Sequence, residues 1–235
     1  MNKLLENKTA IITGASRGIG KGIALAFAEH GCNVAFTYST SVNDAQSFVK
    51  ELEDLGVKAK SYQSNAADFN LAQLLIKNIL DDFDKVDVLI NNAGVGITGP
   101  IEEIKLSALK QHFEINCFGP LEVIQAVLPK MREQGEGLII NITSIAGHIG
   151  TPYRSVYSAG KSSLDIISET LSMEVKDFNI DVVSIAPGDY LTDITPFTPP
   201  SSDPFAGLNW SPDVDDGPLE IEAVSYTHLT LPTKR

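Results

Sequence analysis

The chain has 235 residues, 43% of them apolar, enough for one large α/β domain to bury its core without disulfide or metal staples. A formal net charge of −12 and an isoelectric point near 4.7 exclude a surface built for nucleic acid or an anionic membrane, because phosphate recognition rewards clustered Lys and Arg; the expected partner is a small molecule. With only Cys32 and Cys117, no signal-peptide run after Met1 and no stretch approaching the roughly 20 apolar residues of a membrane span, a reducing cytoplasm is the expected setting.

From Lys8 onward, short β-branched runs alternate with longer stretches of helical period, the pattern of stacked βαβ units and a parallel sheet. The runs predict strands at Thr9 to Thr13, Asn33 to Tyr38, Ala59 to Gln63, Val86 to Asn91, Leu138 to Thr143 and Asp181 to Ala186. Helices are predicted at Gly18 to His30, Val42 to Leu55, Leu71 to Phe83, Leu106 to Arg132 and Tyr157 to Phe178. After Gly188 the character changes. Thr195 to Pro218 is rich in Pro, Ser, Asp and Gly, and no Lys or Arg stands between Asp177 and Thr233, which reads as a loop-rich lid or a solvated tail.

The first strand runs straight into Thr13-Gly14-Ala15-Ser16-Arg17-Gly18-Ile19-Gly20 and then a helix. Glycines there let the backbone turn tightly beside a pyrophosphate, which would sit against unpaired N–H groups at the positive end of the helix. A glycine-rich turn alone is weak evidence, but the strand–turn–helix setting strengthens it. Further on, Tyr157 and Lys161 stand four apart on a predicted helix, so both project from one face. A neighbouring ammonium favours a phenolate, which would let Tyr157 serve as a general acid or a general base. Taken in isolation, such a Tyr/Lys pair is more often a solvated face, and an Asn such as Asn116 in a long helix is more often a surface residue or a kink. Cys32 and Cys117 read as packing residues without a thiolate-activating pattern, His148 stands near Ser144, and the four histidines show no metal-ligand spacing.

TGASRGIG resembles the TGxxxGxG fingerprint of the short-chain dehydrogenase/reductase family, and other segments match that family in order. Asn91-Asn92-Ala93-Gly94 follows the fourth strand, Asn116 lies in the next long helix, Ser144 ends the fifth strand, Tyr157-Ser158-Ala159-Gly160-Lys161 opens a helix, and Pro187-Gly188 closes the sixth strand with Thr192 at the PGxxxT position. The resemblance covers roughly residues 5 to 193 and implies a doubly wound parallel sheet of the Rossmann type. It implies that Lys161 also holds the nicotinamide ribose, that Ser144 hydrogen-bonds the substrate oxygen and that Asn116 positions a water in a proton relay. Gly14, Ser16, Arg17, Gly18, Ile19, Gly20, Ser39, Asn65, Ala66, Asn92, Ala93, Gly94, Pro187, Gly188, Tyr190 and Thr192 are the implied cofactor contacts, with Tyr157 and Lys161. The second strand ends Thr37-Tyr38-Ser39-Thr40 without the acid that would accept from an adenosine ribose and repel a 2′-phosphate, while Arg17 can pair with that phosphate; NADP(H) is the expected cofactor.

Asn2 to Phe69, with VAFTYSTS and SNAADF, is similar to 3-oxoacyl-acyl-carrier-protein reductases, and Val86 to Ile194, with Gly99-Pro100-Ile101-Glu102-Glu103 and Gly119-Pro120, to hydroxysteroid or retinol-type members. A chimera of two relatives and one divergent enzyme both fit. Family members usually continue through another helix and a seventh strand, which this chain is expected to lack. Val224 to Thr233 reads VSYTHLTLPT, which looks like a translated transposase adapter from a sequencing library. The expected organisation is therefore a Rossmann domain at 1–193, a partial substrate lid at 194–223 and a non-native tail at 224–235. The expected function is an NADP(H)-dependent carbonyl reductase or secondary alcohol dehydrogenase, assembled as a homodimer where the parent enzyme is expected to form a higher homo-oligomer. Two alternatives stay open: reduction of 3-oxoacyl chains on acyl carrier protein, which the acidic charge disfavours because that carrier is itself acidic, and a dinucleotide-binding or truncated protein without turnover.

Overall fold

Strand and helix alternate because each short β-branched run is followed by a stretch able to bury one apolar face against it. A computed structural model describes residues 3–64, 69–188 and 196–197, all within the unit Met1–Pro199. Its elements are β1 (Thr9–Ile12), α1 (Gly18–Glu29), β2 (Asn33–Tyr38), α2 (Val42–Glu53), β3 (Ala59–Gln63), α3 (Phe69–Phe83), β4 (Val88–Asn91), β5 (Gly96–Ile97), α4 (Leu106–Phe113), α5 (Gly119–Gln134), β6 (Gly137–Ile142), α6 (Ser155–Glu174), β7 (Ile180–Ile185) and β8 (Pro196–Phe197). Six strands form one parallel sheet in the order β3-β2-β1-β4-β6-β7, and β5 pairs with β8 in a separate two-stranded ribbon.

Both faces of the sheet are covered, and neighbouring residues of one strand serve opposite layers. Ala10, Ile12, Val34 and Phe36 pack with Ala24, Ala28, Phe48 and Leu52 of α1 and α2. Ile11, Ala35, Leu89 and Ile139 pack with Ile79 of α3 and with Ile124, Val127 and Met131 of α5. Each fully buried Ile, Leu or Phe contributes about 1.5–3 kcal/mol, so these two layers dominate the driving force. Coverage thins toward β7. Val183 stands opposite Ile140, on the α1/α2 side, and Val183 and Ile185 remain 36% and 45% exposed. Among the described residues no seventh strand pairs with that outer edge, and no helix is long and apolar enough to cross a membrane.

A buried polar chain crosses the hydrophobic layers. Asn91 Nδ2 donates to Asn141 Oδ1 at 2.8 Å, Asn141 Nδ2 donates to Ser168 Oγ at 2.7 Å, and Ser168 Oγ donates to the carbonyl of Leu164 at 2.6 Å. It ties the end of β4 to β6 and to the middle of α6.

The helix expected from Leu106 to Arg132 is instead interrupted by a π turn at Glu114–Phe118. Pro120 supplies the cause. Its ring has no N–H to offer the carbonyl of Asn116 four residues back and would collide with that carbonyl in a regular helix. The extra residue of a π turn relieves the clash. Two further departures are smaller: α6 starts at Ser155 rather than Tyr157 and gives way to a 3₁₀ turn at Lys176–Phe178, and Pro196–Phe197, expected in an irregular lid, pairs as a strand with Gly96–Ile97.

Candidate active site

Strand order reverses between β1 and β4, and an open cavity of about 570 Å³ lies at the carboxyl ends of the central strands there, where α/β sheets place their ligands. The glycine-rich turn forms one wall. Gly14 and Gly18 adopt left-handed φ angles of 65° and 58°, a region that favours glycine. The turn is clamped from both sides. Thr37 Oγ1 accepts the N–H of Gly14 at 3.0 Å, Thr13 Oγ1 accepts the N–H groups of Asn92 and Ala93 at 3.0 Å each, and Asn92 Nδ2 donates to the carbonyls of Thr13 and Gly14 at 2.8 and 3.1 Å. Gly20 does not line the cavity. It lies behind the turn, where a Cβ would stand 2.4 Å from Asn92 Nδ2.

The opposite wall carries the groups able to move a proton. Ser144 and half-buried Tyr157 face the same cavity as Lys161, which is 5% exposed and donates from Nζ to the carbonyl of Ile142 at 2.8 Å. Burial pushes the Lys161 ammonium down to about 8. Ser144 Oγ accepts the N–H of Ala146 at 3.2 Å, which leaves its own O–H free to donate into the cavity. Asn116 is completely buried in the π turn. Its carboxamide is engaged at both ends: Oδ1 accepts from the N–H of Val95 at 3.2 Å, and Nδ2 donates to the carbonyls of Val95 and His112, each at 3.1 Å.

His112 is the residue that sequence reasoning passed over. It is 2% exposed, its ring centroid lies 5.9 Å from that of Tyr157, and its Nδ1 sits 3.1 Å from Asn116 Nδ2. Because the Val95 backbone orients the Asn116 carboxamide with its NH₂ toward His112, Nδ1 faces a donor shared with the Val95 and His112 carbonyls, which favours the tautomer with the proton on Nε2. A side chain at Gly160 would come within 2.7 Å of that Nε2, so the glycine makes room for the imidazole. Burial, helped by the nearby Lys161 ammonium, holds the imidazole down at about 4. An unfolded histidine takes its proton near 6.5, so the unfolded chain binds the extra proton first as pH falls from 6.5 to 4. Stability contributed by neutral His112 is therefore complete above about 6.5 and lost toward 4, by on the order of 3 kcal/mol. Urea unfolding at pH 7, 5.5 and 4.5 should show the fall, and His112→Gln should flatten it. An equal fall in both proteins would assign the acid sensitivity elsewhere.

Of the residues singled out from sequence, Gly14, Ser16, Arg17, Gly18, Ile19, Ser39, Asn92, Ala93, Gly94, Asn116, Ser144, Tyr157, Lys161, Pro187 and Gly188 line this one cavity. Asn65, Ala66, Tyr190 and Thr192 lie outside the described residues, as do the lid at 194–223, apart from Pro196 and Phe197, and the segment 224–235. Cys32 and Cys117 are both buried, and burial pushes both thiols up, Cys32 to about 12. His148 stands 3.7 Å from Asp165 and does not line the cavity. Among the described residues no cluster of His, Cys, Asp or Glu could hold a metal.

The family model for short chain dehydrogenase matches residues 8–201. Over 189 residues the chain is 38% identical to the 3-oxoacyl-[acyl-carrier-protein] reductase FabG of Staphylococcus epidermidis, covering 80% of this chain and 78% of that protein. It is 34% identical over 193 residues to an L-rhamnose 1-dehydrogenase (NAD(P)(+)) of a Sphingomonas species, covering 82% and 76%. A short-chain dehydrogenase structure from Streptomyces avermitilis matches with a TM-score of 0.75 at 34% identity, over 80% of this chain and 68% of that one. The protein belongs to the short-chain dehydrogenase/reductase family of oxidoreductases, whose members bind nicotinamide dinucleotides.

Proposed function

We propose that the protein reduces a carbonyl, or oxidises the corresponding secondary alcohol, with NADP(H). One observation carries the reading: Ser144, Tyr157 and Lys161 share a single cavity with the glycine-rich turn and Arg17. The residues fit a dinucleotide. Gly14 and Gly18 shape a turn whose backbone is open to a pyrophosphate, Arg17 is exposed at its end, and Lys161 offers a buried cation within the cavity.

The bound nicotinamide would supply or accept the hydride. The chain's own groups handle the proton: Tyr157 delivers it to the carbonyl oxygen from its hydroxyl, and Ser144 donates a hydrogen bond to the same oxygen as negative charge develops. Lys161 supplies a fixed positive charge beside the tyrosine. Asn116 holds the loop at Val95 through its fully used carboxamide. Any water in a relay would therefore rest on its main-chain carbonyl, which Pro120 leaves without the usual donor.

NADPH is expected to bind more tightly than NADH, because Arg17 can pair with a 2′-phosphate and Thr37 to Thr40 contains no acid to repel it. Loss of that one charge-assisted contact in Arg17→Ala should cost on the order of 1.5–3 kcal/mol toward NADPH and leave NADH nearly unaffected. Fluorescence titration of both cofactors reads the preference; equal affinities in the wild type would overturn it. A panel of ketones and alcohols then tests turnover.

A second reading, reduction of a 3-oxoacyl chain on acyl carrier protein, is supported by the 38% identity to the staphylococcal reductase. The net charge of −12 counts against an acidic carrier. Comparing an acyl-carrier thioester with the same acyl group on a small thiol separates the two. The exposed apolar Phe118 and Ile166, on the π turn and α6, support a homodimer.

A further inference from the structure

The charge distribution around the cavity is the reverse of that of the chain. The described lining holds three cations, Arg17, Arg154 and Lys161, and no carboxylate, although the chain carries a net charge of −12. Two of the three have tasks in the reading above. Arg17 stands at the glycine-rich turn, and Lys161 lies buried beside Ile142. Arg154 has none: among the described residues its guanidinium has no carboxylate or hydrogen-bond partner.

Its placement is built rather than incidental. Arg154 occupies the N-cap position of the 20-residue helix α6, its side chain making no capping hydrogen bond, and stands three positions before Tyr157 beside the same cavity. The turn leading to it is tied to the wall across the cavity. Tyr153 adopts a left-handed φ of 65°, a conformation uncommon for a non-glycine residue, and its carbonyl accepts the N–H of Gly99 at 2.8 Å. Val95, Ile97 and Thr98 of that wall line the same cavity. Among the described residues, the substrate end is thus an uncharged, largely apolar wall facing one cation without a partner, at the positive end of a long helix.

We propose that Arg154 is a specificity-determining residue that selects ketones carrying an anionic group, a carboxylate or a phosphate, within a few bonds of the carbonyl. The inference rests on the reductase reading for the position of that carbonyl at Tyr157. A planar guanidinium offers paired N–H donors matched to two oxygens of either anion, and the absence of acids along the described lining leaves their charge uncompensated. The apolar wall takes the remaining carbon chain.

Charged and neutral partners measure the effect. 4-Oxopentanoate is compared with methyl 4-oxopentanoate, and dihydroxyacetone phosphate with dihydroxyacetone, each with NADPH. The expected result is a kcat/KM ratio of about tenfold or more in favour of the charged member of at least one pair. The pair that shows it distinguishes carboxylate from phosphate. The ratio should fall toward one in R154Q, recover in part in R154K and shrink as salt is raised, since the cation is exposed. A wild-type ratio of one in both pairs, or a ratio that survives in R154Q, overturns the proposal. Calorimetry of the same pairs on the NADP-loaded protein reads the site without turnover. Anion binding that depends on Arg154 without any ketone reduction would overturn the reductase reading and leave the anion site standing; equal binding of charged and neutral partners would overturn the anion site.

Discussion

Tyr157→Phe should lower kcat by about 10² to 10⁴-fold, the usual contribution of a positioned general acid, while leaving NADPH affinity and the melting temperature close to those of the wild type. The substitution removes one oxygen. The ring that packs 5.9 Å from His112 stays, so the π turn and Asn116 keep their neighbour. Steady-state turnover paired with fluorescence titration of NADPH checks the two halves of the expectation. Turnover retained in the variant would place the proton donor elsewhere, and a lost cofactor site would mean that the hydroxyl has a binding role.

Lys161→Met should abolish turnover and at the same time stabilise the cofactor-free protein at neutral pH. Among the described residues the buried ammonium has no carboxylate partner, and its hydrogen bond is to the carbonyl of Ile142. Burial pushes the group down to about 8, so the fold carries a charge it would rather shed. The sign follows from proton counting. Between about 8 and 10.5 the unfolded chain holds a proton that the folded chain has released, so stability rises with pH across that window. At pH 7 the cost is on the order of 3 kcal/mol. Methionine is of similar volume without the charge, and replacing buried ionic groups by well-packed apolar side chains is often neutral or stabilising by about 1–4 kcal/mol. Differential scanning calorimetry at pH 7 and pH 10 should show the gain at the lower pH and its disappearance at the higher. A variant less stable at pH 7 would mean that the cation holds the fold together, in addition to its place in the chemistry.

Periodicity made the sheet readable. Runs such as Thr9-Ala10-Ile11-Ile12 and Asn33-Val34-Ala35-Phe36 are apolar at successive positions because helices cover both faces, and the turn that follows β1 is marked by its glycines. Of the cavity wall, Gly14 was legible from its strand–turn–helix setting and Tyr157 with Lys161 from their spacing on a helix, whereas Asn92 and Ser144 were legible only through the resemblance of their motifs to the family's. The π turn was not inferred, although Pro120 was its visible signal; Pro129, carried inside α5 without such a turn, shows why a proline alone does not place one. His112 escaped because its importance comes from meeting a second helix: it packs against Tyr157 and Gly160 of α6, more than forty residues away, and only its contact with Asn116, four residues on, is local. Thr13 and Thr37 read as ordinary strand residues, yet their hydroxyls clamp the glycine-rich turn. Arg154, in a turn held by a left-handed tyrosine, carries no sequence signal for which way its guanidinium faces.

The polar chain from Asn91 through Asn141 to Ser168 acts as a registration pin. Apolar layers alone tolerate sliding, because one helical turn of displacement, about 5.4 Å, exchanges one set of aliphatic contacts for another of similar worth. A chain of buried hydrogen bonds has no such second position, since a slipped helix would strand amide groups without partners. Ser168 lies on the same helix as Tyr157, eleven residues further on, and Asn91 immediately precedes the Asn92 that grips the glycine-rich turn. The two walls of the cavity are thereby indexed to each other from beneath, well away from any reacting atom. If Tyr157 is the proton donor proposed above, how accurately it meets a carbonyl is decided in the floor of the site.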